Sequence, residues 1–64
     1  MPDEKLTDAE TRVAELVADE MTNAEIAATL VVSVNTVKTH VAHVFRKTGV
    51  HNRRNLRRLL KRNE

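Results

Sequence analysis

Residues 22–47 read TNAEIAATLVVSVNTVKTHVAHVFRK, and this stretch decides the fold. Thr22-Asn23-Ala24-Glu25 has the form of a capping box. In that arrangement a Thr hydroxyl takes an amide at the start of a helix, and the Glu three residues on reaches back to the Thr amide. Ile26, Ala27 and Leu30 follow at helical spacing. Ser33 offers a second N-cap three residues after Leu30, so the chain turns at once into another helix. Val31 and Val32 fill the turn, and the lack of glycine there predicts a turn with no residue at positive φ. The second helix, expected over residues 34–47, places Val37, Val41, Val44 and Phe45 on one stripe that must face a core.

On a helical wheel the face opposite that stripe carries Arg46, Thr39 and His43. Asn35 and Thr36 lie beside them, Ala42 lies next to Asn35, and Lys38 and Lys47 hold the two flanks. A solvated helix usually interleaves Glu with Lys, yet residues 33–47 contain no acidic side chain. Hydroxyls, an amide, imidazoles and cations without carboxylates suit a helix that meets phosphates and base edges.

Working outward, the flanking segments supply two more helices. Thr7-Asp8-Ala9-Glu10 is another capping box, and Ala9, Val13, Leu16 and Val17 make the expected buried stripe of a first helix ending near Ala18 or Asp19. Met21 is expected in the core. After the Ser33 helix, Gly49 stands where a left-handed cap residue belongs, with Val50 as the hydrophobic contact of a Schellman-type cap. Asn52 then caps a fourth helix running to about Arg62, with Leu56, Leu59 and Leu60 on its apolar face. Residues 1–5 (MPDEK) are polar, contain the one proline, and read as a flexible tail ahead of a single domain over 6–64.

The segments LTDAETRVAELVADEMTNAEIAATL and VVSVNTVKTHVAHVFRKTGVHNR resemble the LuxR/FixJ-type (GerE-like) helix-turn-helix domain. What carries the likeness is the combination of T-N-x-E-I-A, S-x-x-T-V-K-x-H and K-x-G-V-x-N-R at the right intervals, over nearly the whole chain. The resemblance implies an all-α, four-helix (tetrahelical) domain that binds double-stranded DNA for a transcription regulator. Its third helix is expected in the major groove, its second across the backbone, and its fourth in a dimer contact. Double-stranded DNA, a second copy of the chain and RNA polymerase are the partners implied; a small-molecule ligand in this domain is not. Such domains commonly form the output end of a larger protein. The chain departs from the family pattern at Glu20, where Gly is usual, at Thr48, where Leu is usual, and at Arg54 and Leu56, where small residues are usual.

By this likeness Lys38 matches the Lys of the T-V-K motif and is expected at a DNA phosphate or base edge; read blandly, it is a solvated lysine. Thr22 and Asn23 are expected at a phosphate. Ser33 and Thr36 lie in the first turn of their helix, where hydroxyls and free amides favour a phosphate oxygen. Asn35, Thr39, Ala42, His43 and Arg46 lie where sequence would be read, with Lys47 on the flank. Thr39 and Ala42 suit a thymine methyl, and His43 and Arg46 suit guanine or phosphate. Val37 is expected to pack mainly inward with an edge on a thymine methyl. Arg53, Leu56, Leu59 and Leu60 are the expected dimer residues. His40 matches the family's His, and packing or a hydrogen bond is its expected role.

Composition narrows the alternatives. With 64 residues the chain holds one domain, and its net charge of +2 hides a gradient. Residues 1–30 carry eight acidic and two basic side chains, residues 31–64 one acidic and nine basic, a pattern that points to a polyanionic partner. There are no cysteines, which excludes a disulfide framework and a thiolate zinc site. His40 and His43 lack a carboxylate or third nitrogen nearby in sequence, so no metal or other cofactor is expected. The Ser, His and Glu residues are used by caps and faces, which argues against an enzyme. One Phe and no Tyr or Trp argue against base stacking on single strands. No segment has the form of a membrane span or secretion signal, so cytoplasmic residence is the default expectation. The rival reading is an interaction module that pairs with a full-length LuxR-type regulator and blocks it without binding DNA. Such a module gains nothing from an intact T-V-K.

Overall fold

The computed structural model describes residues 5–61, in which four helices follow one another: α1 (Asp8–Ala18), α2 (Asn23–Leu30), α3 (Val34–Thr48) and α4 (Arg53–Lys61). Residues 1–4 of the expected tail, and Arg62 at the expected end of α4, lie outside the described residues. Each helix begins at the cap the sequence supplies. Thr7 Oγ1 accepts the Glu10 amide at 3.1 Å while Glu10 Oε1 accepts the Thr7 amide at 3.0 Å. Thr22 and Glu25 repeat the arrangement at 3.1 and 2.9 Å. Ser33 Oγ takes the Thr36 amide and Asn52 Oδ1 the Asn55 amide. These bonds satisfy amides that the helix itself leaves without acceptors.

Three of the helix ends depend on a residue in the left-handed region. Glu20 has φ +67°, Val31 +58° and Gly49 +78°. At the end of α1 the Glu20 amide donates to the Val17 carbonyl and the Met21 amide to that of Leu16, the paired bonds of a Schellman motif. The expectation that the turn between α2 and α3 needs no positive φ is wrong. The Val32 amide must reach back to the Ala27 carbonyl, at 3.0 Å, and only a left-handed Val31 reverses the chain within so few residues. After α3 the cap is the simpler left-handed form. The Gly49 amide donates to the Phe45 carbonyl, while the Val50 amide turns to Thr48 Oγ1 instead of a helical carbonyl. A Cβ on Gly49 would meet nothing within 4 Å, so backbone conformation alone asks for glycine there.

The core is built from Val13, Ala14 and Val17 of α1, Ile26 and Ala27 of α2, Val37, Val41 and Val44 of α3, and Leu56 of α4. Leu16, Met21, Phe45, Val50 and Leu60 pack around it. The stripe of α1 is turned from the one expected. Ala9 is exposed and Leu16 half-buried, while Glu10, Ala14 and Ala18 join Val13 and Val17 inside. The cause is that α1 lies against all three other helices, so it needs a broad buried face with small residues where backbones approach. α2 packs on α3, and α4 packs on α1. Each fully buried valine, leucine or isoleucine contributes about 1.5–3 kcal/mol of transfer free energy. No helix among the described residues is long and apolar enough to cross a membrane.

Candidate nucleic-acid interface

α3 is the element that presents the candidate site, because packing consumes one side of it and leaves the other bare. Val37, Val41 and Val44 are buried, whereas Asn35, Thr36, Lys38, Thr39, Ala42 and Arg46 are exposed. Lys38 and Arg46 have no ion-pair partner among the described residues. The hydroxyls at the start of the helix are ordered locally. Ser33 Oγ and Thr36 Oγ1 share a hydrogen bond of 2.9 Å, and Thr39 Oγ1 donates to the Asn35 carbonyl at 3.1 Å. Thr39 therefore offers its methyl group and remaining lone pairs outward, with its proton already committed.

Two residues expected on this face are turned from it. His43 does not point straight away from the core: its Nδ1 lies 3.4 Å from Glu10 Oε2. Lys47 is nearly enclosed, its Nζ 2.7 Å from Glu10 Oε1 and 3.4 Å from the Lys5 carbonyl oxygen. Residues 33–47 indeed hold no carboxylate, but α1 supplies one from 37 positions earlier. Glu10 thus closes the capping box of α1 and serves as counter-ion for the end of α3. The Lys47 ammonium, followed by the Thr7 amide, lowers its pKa from 4.5 to about 2, against an opposing effect of burial. The signal for this was available, because Glu10 stands three and seven residues before Val13 and Val17, inside the apolar stripe.

Val37 is 0% exposed, so it cannot place an edge on a base; the expectation of a thymine contact there is withdrawn. Leu56 is likewise 0% exposed and belongs to the core of its own domain, which removes it from the expected dimer surface. Leu60 packs mainly against the same core, while Leu59 is half-buried beside Val50. Arg53 reaches across to α2, its Nη2 donating to Asn23 Oδ1 at 2.7 Å and its Nη1 to the Met21 carbonyl at 3.4 Å. At the start of α2 the Thr22 amide is already held by Glu25. Arg57 pairs with Glu20 across a shallow groove between α1, α2 and α4. His40 is half-buried, with its Nδ1 enclosed and no partner among the described residues, so packing is its visible role. Among the described residues no three His, Asp or Glu side chains gather as a metal site.

A helix-turn-helix with a bare cationic face on its second helix defines a class of DNA-binding domain. The chain belongs to the luxR family of bacterial regulatory proteins, which it matches over residues 4–60. It is 42% identical over 52 residues to a nitrate/nitrite response regulator protein homolog of Haemophilus influenzae, covering 81% of this chain and 25% of that protein. With the transcriptional regulatory protein LiaR of Bacillus subtilis it shares 38% over 53 residues, 83% of this chain and 25% of LiaR. The uncharacterized response regulatory protein YgeK of Escherichia coli is 43% identical over 49 residues, 77% of this chain and 33% of YgeK. The chain thus spans about a quarter to a third of these relatives. No solved structure matches it. Membership of this family assigns the domain to DNA-binding regulation of transcription, and the family is not a class of enzymes.

Proposed function

We propose that the protein binds double-stranded DNA sequence-specifically, with α3 in the major groove and α2 crossing the backbone. The observation that carries this is the exposed face of α3, which gathers Asn35, Thr36, Lys38, Thr39, Ala42 and Arg46 without one carboxylate. In this arrangement Ser33, Thr36 and Lys38 meet phosphates, Thr39 and Ala42 face thymine methyls, and Arg46 donates to guanine or phosphate. Thr22 and Asn23 approach the neighbouring phosphates, with Arg53 orienting Asn23. His43 and Lys47 act at the edge of the interface, where Glu10 sets their positions. Two copies bind inverted half-sites about one helical turn apart, pairing through the Leu59 side of α4. The relatives named as response regulators support reading the domain as the output end of such a regulator. In that role it acts on RNA polymerase in the cytoplasm.

The test is a mobility shift over a salt series with the unmutated protein and Lys38→Ala. Lys38→Ala is expected to weaken binding to all duplexes about equally and to lower the slope of log affinity against log salt by about one. Unchanged affinity and slope would take Lys38 out of the interface. Failure of the unmutated protein to bind any duplex would favour the interaction-module reading.

A further inference from the structure

We propose that Val34, the first residue of α3, is a specificity residue that takes the 5-methyl group of a thymine. This deepens the major-groove reading above and rests on it. Among the described residues the exposed large hydrophobics are Val31 at 87%, Val32 at 40% and Val34 at 39%, all at the turn into α3. A single exposed valine is ordinary on a protein surface, but three at one turn form a patch.

What singles out Val34 is its row on the helix. Val34, Lys38, Ala42 and Arg46 follow at i, i+4, i+8 and i+12, so they form one ridge, and all four are exposed. The ridge alternates apolar with cationic side chains and contains no acid. Such a ridge complements a major groove, where phosphates flank base edges and the thymine methyl is the apolar feature. Val34 also stands at the N-terminal end of α3, the part of a recognition helix that meets base edges. Its short β-branched side chain has a single χ1 torsion, so little freedom remains to be lost on contact. The Ser33–Thr36 hydroxyl pair fixes the backbone beneath it. Val37, the other valine of the first turns, is closed off inside the core. Apolar readout at this end of the helix therefore falls to Val34.

The experiment removes the methyl group itself. A site is selected from random duplexes with the full chain, and each thymine in a half-site is then replaced singly by deoxyuridine. One position is expected to lose about fourfold in affinity, the worth of a buried methyl. In Val34→Ala, thymine and deoxyuridine are expected to bind alike at that position, while the remaining positions keep their preferences. Alanine is the better helix former at this exposed site, so the variant keeps the fold. Three results overturn the inference alone: a selected half-site without thymine, no position sensitive to deoxyuridine, or the same set of sensitive positions in Val34→Ala as in the unmutated protein. A loss in Val34→Ala that is equal on the thymine and deoxyuridine duplexes also overturns it. If the unmutated protein selects no duplex, the major-groove reading falls and this inference with it.

Discussion

Val31 and Glu20 occupy conformations that L side chains resist, and they resist for different amounts. A left-handed backbone costs about 1–2 kcal/mol for an ordinary residue, and a β-branched one stands at the unfavourable end. Val31 is 87% exposed, so its replacement forfeits no burial. Val31→Gly is expected to stabilise the domain by about 1 kcal/mol in thermal melts. Glu20→Gly relieves similar strain but gives up the exposed pairing with Arg57, which is worth at most about 1 kcal/mol. Its gain should be the smaller of the two, and the reverse order would mean that Glu20, not Val31, is the more strained residue. Glu10 makes a third case. Its pKa is depressed, so the stabilisation it provides is complete above about pH 4.5 and is lost as the pH falls toward about 2. Glu10→Gln should lower stability at neutral pH and remove that part of the acid slope, as followed by circular dichroism melts from pH 6 to 2.

At the level of whole elements, all four helix starts were legible, because a cap is a contact over three residues and needs no knowledge of the fold. The apolar stripe of α3 was equally plain. What escaped was long-range. No local pattern shows that Glu10 and Lys47 meet, nor that α1 must bury Ala14 and Ala18 against three neighbours. The left-handed Val31 escaped because valine is the residue least expected there. On α4 the periodicity marked three leucines without saying which of them face inward. The structure divides them, and the division is testable. Leu56→Ala should cost about 2–5 kcal/mol, enough to unfold most of a domain this small. Leu59→Glu should leave the monomer folded and abolish cooperative binding to a palindromic duplex. A melt for Leu59→Glu as damaged as that for Leu56→Ala would place the dimer surface elsewhere.

Across the whole molecule, charge is sorted along the chain, with eight of the nine acids before residue 31 and nine of the eleven cations after it. Two copies meeting through the Leu59 side of α4, as proposed, would bring Arg58 of each toward the other, and Arg58 is exposed beside Leu59. The free domain is therefore expected to pair weakly in solution and to pair on DNA, where phosphates screen the repulsion. Sedimentation of the free chain should give a monomer, and titration of an inverted repeat should be cooperative; independent filling of the two half-sites would end the dimer proposal. One further consequence follows from the Lys47 ammonium, which holds both Glu10 and the Lys5 carbonyl. That contact anchors the entrance of the polypeptide to the C-terminal end of α3, some 20 Å from Ser33 by helical rise. A dye, affinity tag or fused module attached ahead of Lys5 starts from that end of α3. Its bulk and charge are felt first by Arg46 and Lys47 and last by Val34. With α3 in the groove as proposed, a reporter fused at the front of this chain would perturb one flank of the operator, and its influence should fade base pair by base pair toward the other.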